Sequence, residues 1–128
     1  MSTRAEARLD RRYLQLVKLL NIYLNHFPKC ERHGLALRIR TTAYEMYDLM
    51  IEAQKRYQKK TTLTNLDIKH EQLRMQVRLA HELGYFGQPQ RSSEAAQGLN
   101  VKRYLTLSAL IDEIGRMIGG WIAASKDK

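Results

Sequence analysis

Apolar side chains recur at intervals of three and four residues along most of this chain, and that interval places them on one face of an α-helix. Glycine, proline and short polar runs interrupt the pattern around Pro28 to Gly34, at Lys59 to Thr64 and from Gly84 to Gly98. The interruptions divide the chain into four helices, predicted at about residues 4–27, 34–60, 64–84 and 100–125. No stretch alternates convincingly with a period of two residues, so the sequence does not require a β-strand.

Four helices of similar length with short connections favour antiparallel neighbours around one shared core. We therefore predict a single all-α domain over residues 1–128, an antiparallel up-and-down four-helix bundle. The apolar face of the second helix follows the helical period from Leu35 to Tyr57, so Tyr57 is predicted to face the core. Thr64 and Asn100 are the predicted N-caps of the third and fourth helices.

The fourth helix contains three glycines, each of which costs up to about 1 kcal/mol relative to alanine in a helix. They are Gly115, Gly119 and Gly120. Close approach of a neighbouring helix is the expected compensation.

Two helices carry a second apolar stripe opposite the predicted core face. Its members are Leu37, Tyr44 and Ile51 on the second helix and Met75, Leu79 and Leu83 on the third. Apolar patches on a protein surface usually mark interfaces, so we predict that these residues form an oligomer interface. The alternative is a broad core stripe with scattered exposed apolar side chains, which are common.

Basic side chains outnumber acidic ones, 22 to 13, which gives a formal charge of +9. The first 62 residues hold 13 of the basic and 6 of the acidic side chains. Such a surplus favours polyanions such as nucleic acid. The predicted contacts to nucleic acid or to a protein partner are Arg4, Arg8, Arg11, Lys18, Arg38, Arg40, Lys55, Arg56, Arg74 and Arg78. The alternative for each is an ordinary solvated or salt-bridged charge.

Side chains suited to catalysis or metal binding are few. Cys30 and His33 form one C-x-x-H pair, half of a structural zinc set, and His70 and His81 lie about 16 Å apart along one helix. No glycine-rich phosphate loop or H-E-x-x-H motif is present. We therefore expect a binding protein with no catalytic residue, no metal and no cofactor. A single cysteine, and no apolar run approaching the ~20 residues of a membrane span, favour a cytoplasmic location without membrane contact.

Two stretches of the chain resemble a known family. FPKCERHGLA at residues 27–36 and EIGRMIGGWI at residues 113–122 are similar to the four-helix-bundle proteins encoded by intervening sequences of bacterial large-subunit rRNA genes. Within that family, HGLA at residues 33–36 and the Leu73-Arg74-x-x-Val77-Arg78 pattern most resemble the accessory variability determinants (Avd) of diversity-generating retroelements.

The resemblance to Avd implies a particular assembly and particular partners. It implies a homopentameric barrel of bundles with a basic surface, which binds the element's reverse transcriptase and its template RNA or DNA during mutagenic retrohoming, and which has no active site. Arg74 and Arg78 match basic positions of the family's third helix, and Trp121 and the glycines of the fourth helix match its packing pattern. Two alternatives stay open: a protein of the rRNA intervening-sequence type, and a basic scaffold that contacts only protein.

Overall fold

Four α-helices dominate the computed structural model, which describes residues 3–87 and 93–126. They are α1 (Thr3–Leu24), α2 (Leu35–Lys55), α3 (Lys60–Glu82) and α4 (Glu94–Lys126). One-turn 3-10 helices lie at Lys29–Glu31 and Tyr85–Gly87, and the described residues contain no strand, so the all-α prediction is confirmed. None of the described helices combines the length and the apolar character needed to cross a membrane.

Contacts between the helices show that each runs antiparallel to its neighbour. Between α1 and α2, the Tyr13 hydroxyl donates to the Ala43 carbonyl at 2.5 Å, and Arg40 donates to the side chain of Asn21 at 2.8 Å. Residue numbers therefore rise on α1 as they fall on α2. The other neighbouring helices are joined by the pairs Glu45–Lys69, His70–Ile111, His81–Asn100, Arg12–Glu113 and His26–Arg103. The four helices form an up-and-down bundle, as predicted.

The core of the bundle is built from the predicted inward faces. Its buried side chains include Leu9, Tyr13, Leu16, Leu20, Ile39, Met46, Met50, Leu66, Leu73, Val77, Leu107, Ile111, Ile114 and Ile118. Trp121 is also fully buried, and its indole nitrogen has no hydrogen-bond partner among the described residues. Burying a leucine, isoleucine or methionine stabilises a fold by about 1.5–3 kcal/mol, so the core decides which side chains each helix turns outward.

Helix α2 ends earlier than the sequence predicts. It stops at Lys55 rather than near residue 60, and Arg56 has extended backbone with a ψ of 142°. The Lys59 ammonium donates to the carbonyls of Ala53 and, at 2.7 Å, of Arg56, which satisfies acceptors at the open end of the helix. Tyr57 therefore leaves the helical face and is 95% exposed, so its predicted position in the core is wrong.

Helix α3 begins at Lys60, before its predicted cap. Thr64 lies inside the helix, and its hydroxyl donates to the Lys60 carbonyl at 2.8 Å, so Thr64 is not the N-cap. Thr62 and Leu63 are buried in this first turn. Their burial explains why a threonine-rich segment of modest helix propensity joins the helix.

Helix α4 begins at Glu94, so the predicted start at Asn100 is also wrong. The Ser93 hydroxyl accepts the Ala96 N–H at 3.1 Å and caps the helix instead. The loop predicted between the third and fourth helices is correspondingly shorter, and its residues 88–92 lie outside the described part of the chain.

Asn100 ties the connection between α3 and α4 to the body of α4. Its side-chain oxygen accepts the Phe86 N–H at 3.1 Å, and its nitrogen donates to the His81 carbonyl at 2.9 Å. The His81 ring stacks on Tyr104 with the ring centroids 4.1 Å apart. Gly84 forms the turn itself with a φ of 75°, a left-handed conformation that glycine adopts without steric cost.

The three glycines of α4 have different surroundings. A Cβ at Gly115 would lie 2.6 Å from Cε1 of His70, whose Nε2 donates to the Ile111 carbonyl at 2.8 Å. A Cβ at Gly119 or Gly120 would meet no atom of the described residues within 4 Å. The predicted close helix approach is confirmed for Gly115 and wrong, within this chain, for the other two.

Candidate nucleic-acid and partner interface

The outward face of α1 carries four of the predicted contact residues. They are Arg4, Arg8, Arg11 and Lys18. All four are exposed because they lie on the side of α1 opposite its buried residues. They make no ion pair with any residue that the structure describes. Three of them follow one another at intervals of seven residues, or about 10 Å along a helix. Cations in such a row can follow a phosphate backbone, because their long side chains absorb differences in spacing.

A second basic group lies where α1 packs against α4. Arg12 pairs with Glu113, donating from Nε at 3.0 Å and from a second guanidinium nitrogen. These hydrogen bonds lower the pKa of Glu113, and the charges of Arg8 and Arg116 lower it further. Three arginines around one carboxylate leave two surplus positive charges at this seam. Arg12 and Arg116 were not among the predicted contacts, because Arg12 and Glu113 are 101 residues apart and no local pattern links them.

The predicted contact residues of α2 differ in how available they are. Arg38 and Lys55 are exposed and have no ion-pair partner within the described ranges. Arg40 is half-buried and bonded to Asn21 of α1 at 2.8 Å, so it joins two helices of the bundle. Arg56 pairs with a glutamate one turn earlier at 3.3 Å. Arg38 and Lys55 are therefore the cations of α2 that are available to bind a partner.

The two basic residues singled out on α3 also differ. Arg74 donates to Glu71 from Nε at 3.1 Å and from a second nitrogen, and these hydrogen bonds raise the pKa of Arg74. Arg78, one turn further on, is exposed and forms no ion pair within the described part of the chain. Exposed ion pairs contribute little to stability, so a partner can displace Glu71 at small cost.

All six residues of the predicted oligomer interface lie on the surface. Their exposed fractions run from 43% for Met75 to 50% for Leu79, so they lie outside the core. The oligomer interface stays a prediction beside the alternative of scattered exposed apolar side chains. Leu37 also lines a groove of about 790 Å³ between α2 and α3. Another lining residue, Gln76, has a buried side-chain oxygen without a hydrogen-bond partner among the described residues. Helices α2 and α3 thus expose three of these apolar side chains each, and the α1–α4 seam exposes cations. Helices α1 and α4 also expose apolar side chains, among them Ile22 and Leu105.

Residues with potential for other chemistry are not brought together. Cys30 and His33 are exposed. His70 and His81 are half-buried and engaged in the contacts between α3 and α4 described above. Within residues 3–87 and 93–126, no three His, Cys, Asp or Glu side chains are placed to hold a metal ion.

Most of the chain matches one known protein family. Residues 8–125 match the model of the bAvd-like family. The chain belongs to the bAvd-like family. The match confirms the resemblance to the Avd proteins of diversity-generating retroelements, and bAvd-like proteins are accessory rather than catalytic. No curated protein matches the chain. The wider relationship to proteins of rRNA intervening sequences stays a prediction.

Proposed function

We propose that this bAvd-like protein is a non-catalytic accessory protein of a diversity-generating retroelement. In this role it binds the element's reverse transcriptase and its template RNA or DNA and supports mutagenic retrohoming. Membership of the family supports the accessory role and the partnership with a reverse transcriptase. The observation that carries nucleic-acid binding is the concentration of cations on α1 and at its seam with α4.

This basic surface has few acidic side chains to neutralise it. Its members are Arg4, Arg8, Arg11, Arg12, Lys18, Lys102, Arg103 and Arg116. Glu113 lies among them, and Glu6 lies between Arg4 and Arg8 in the sequence of α1. The charge of Asp10 raises the pKa of Tyr47 on α2, and that of Asp112 contributes to the raised pKa of Arg74 on α3. Cations held on rigid helices attract a phosphate backbone without ordering a flexible segment first. Binding at this surface is therefore electrostatic and independent of base sequence.

Contact with the reverse transcriptase is proposed for α3. Arg78 is exposed without an ion-pair partner in the described chain, and Arg74 lies one turn away on the same helix. Both side chains can bind carboxylates of a protein or phosphates of a nucleic acid in a bidentate manner. They lie on a different helix from the cations of α1, so the two partners need not compete.

Self-association is proposed through the apolar surface of α2 and α3, with a homopentamer as the assembly. Exposed large apolar side chains on neighbouring helices favour burial against another copy. Five chains of charge +9 would also present many weak phosphate contacts together, which raises affinity without new contacts in each copy. Light scattering tests the assembly. Leu37→Asp with Leu79→Asp should dissociate it, and a wild-type species of 15.0 kDa at micromolar concentration would exclude it.

A salt titration tests nucleic-acid binding. The wild-type protein should lose affinity for RNA steeply between about 50 and 200 mM salt, because bound counterions are released on binding. Replacing Arg4, Arg8, Arg11 and Lys18 by alanine should weaken binding and reduce the slope of log affinity against log salt by about 3. Lys29→Ala with Arg32→Ala is a control that removes two cations away from this surface, because both side chains are exposed at the other end of α1. It should change the slope by less per charge removed. A flat titration of the wild type would contradict the proposal.

Co-purification tests the protein partner. Arg74→Ala with Arg78→Ala should weaken association with the reverse transcriptase while leaving the helical content and the unfolding midpoint unchanged. The variant with alanine at Lys29 and Arg32 again serves as the control. Unchanged association in the α3 variant would exclude these two arginines as contacts, and RNA binding without any association would favour a separate nucleic-acid role.

A further inference from the structure

Tyr57 is the most exposed large apolar side chain in the described part of the chain. Its exposed fraction is 95%, compared with 59% for Leu105, the next highest. It lies on the four-residue connection between α2 and α3, and its ring makes no contact with another aromatic side chain within the described ranges. A ring exposed to solvent in this way contributes no buried surface to the stability of the fold, so it is available to contact a partner.

The connection that carries Tyr57 is held in place by hydrogen bonds. The Lys59 ammonium donates to the carbonyls of Ala53 and Arg56, and the Arg56 N–H donates to the Glu52 carbonyl at 2.9 Å. On the other side, the N–H of buried Leu63 donates to the Lys59 carbonyl at 2.8 Å. The backbone on both sides of Tyr57 is thus fixed, and little backbone conformational entropy remains to be lost when the ring binds.

Two exposed cations flank Tyr57 in the sequence. Lys55 and Lys60 flank the connection, are exposed and form no ion pair in the part of the chain that the structure describes. Because neighbouring helices are antiparallel, this connection lies at the same end of the bundle as the beginning of α1. That end also carries Arg4 and Arg8 of the basic surface.

We propose that Tyr57 is a stacking platform for an unpaired base of single-stranded RNA or DNA, with Lys55 and Lys60 holding the adjacent phosphates. An exposed aromatic ring between cations is the arrangement by which proteins hold single strands without reading sequence. A duplex does not offer this contact, because its bases are already stacked on one another. The inference rests on the nucleic-acid binding proposed above and adds a preference for unpaired strands.

The test uses the full chain and an RNA oligonucleotide that carries 2-aminopurine, whose fluorescence is quenched when the base stacks. Wild-type protein should quench the probe, and Tyr57→Ala should bind the single strand roughly 5- to 100-fold more weakly without quenching it. Tyr57→Trp should restore both effects. Binding of the corresponding duplex should be the same for all three proteins. Leu105→Ala, which removes another exposed apolar side chain, should behave as the wild type.

Three results would overturn the inference. If wild-type protein binds neither form of RNA, the proposed nucleic-acid function fails and the stacking site fails with it. If wild-type protein binds both forms and Tyr57→Ala binds the single strand equally well, the stacking site alone fails. If Tyr57→Ala loses the reverse transcriptase but keeps the single strand, Tyr57 is a protein contact. Because the ring is 95% exposed, Tyr57→Ala should unfold at the same temperature as the wild type.

Discussion

Replacing Gly115 by alanine should destabilise the bundle, although alanine is the better helix former. The added Cβ would lie 2.6 Å from Cε1 and 2.8 Å from Nε2 of His70. The ring must then move, and its 2.8 Å hydrogen bond to the Ile111 carbonyl is stretched or lost. That loss costs about 1–3 kcal/mol and crowding a packed site costs a similar amount, against about 1 kcal/mol gained in helix propensity. The expected net loss is about 1–5 kcal/mol.

Gly119→Ala is the matched control in the same helix. Its Cβ would meet no atom of residues 3–87 or 93–126 within 4 Å, so only the gain in helix propensity remains, a stabilisation of up to about 1 kcal/mol. Urea unfolding measures both free energies, and a thermal scan should move by roughly 3–5 °C for each kcal/mol in a chain of this size. All variants are compared at one protein concentration, because self-association would raise the apparent stability.

A substitution of His70 tests whether the clash with its ring causes the loss of stability in Gly115→Ala. In a His70→Ala chain the ring is absent, and Gly115→Ala should become stabilising, as Gly119→Ala is expected to be. The difference between the two backgrounds measures the coupling of the ring and the added methyl group. If Gly115→Ala costs the same free energy in both backgrounds, the steric explanation is refuted.

Three further predictions concern pH, binding and local stability. Burial raises the pKa of Tyr13, so the unfolded chain ionises this phenol first and stability should fall as pH rises above about 10, by up to about 1.4 kcal/mol per pH unit. The loss should be smaller in Tyr13→Phe, as measured by urea unfolding at each pH. Glu113→Gln should strengthen RNA binding at low salt roughly two- to tenfold, because it frees Arg12 and removes a negative charge from the seam. Asn100→Ala should cost about 1–3 kcal/mol and speed hydrogen exchange at the Phe86 amide, which loses its acceptor.

Each of these has its own control. An equal alkaline loss in Tyr13→Phe would show that another group is responsible. Glu82→Gln removes a charge from an exposed glutamate that has no ion pair in the described chain. If it raises RNA affinity as much as Glu113→Gln does, only net charge matters. Unchanged exchange at Phe86 in Asn100→Ala would mean that another group protects this amide.

The inward faces of the helices could be predicted from the sequence, whereas their ends could not. A buried residue at every third or fourth position, as from Leu9 to Leu24, leaves a pattern that only a helix produces. The end of α2 depends on Lys59 reaching back to carbonyl oxygens, and the beginning of α4 depends on the Ser93 hydroxyl. Each of these helix ends depends on a contact of one side chain, which a periodic pattern in the sequence does not predict. The exposure of Tyr57 followed from the first of these and was missed for that reason.

The candidate interface was predictable only in part. The spacing of Arg4, Arg11 and Lys18 placed them opposite the core, and they are exposed there. Whether a cation is free to bind a partner depends on the side chains that another helix places beside it. The half-buried Arg40 is bonded to α1, and Arg12 is paired with a glutamate of α4. Such partners become known only when the order of the helices around the bundle is known.

Trp121 gives the bundle an internal optical probe. It is the only tryptophan in the chain, it is fully buried, and no described residue bonds to its indole nitrogen. Its emission should therefore lie at short wavelength, as in an apolar solvent, and shift to longer wavelength when water reaches the ring. Because α4 ends on the side where α2 turns into α3, the indole lies towards the Tyr57 end of the bundle. Unfolding, assembly and events at that end can thus be followed in the native, unlabelled chain.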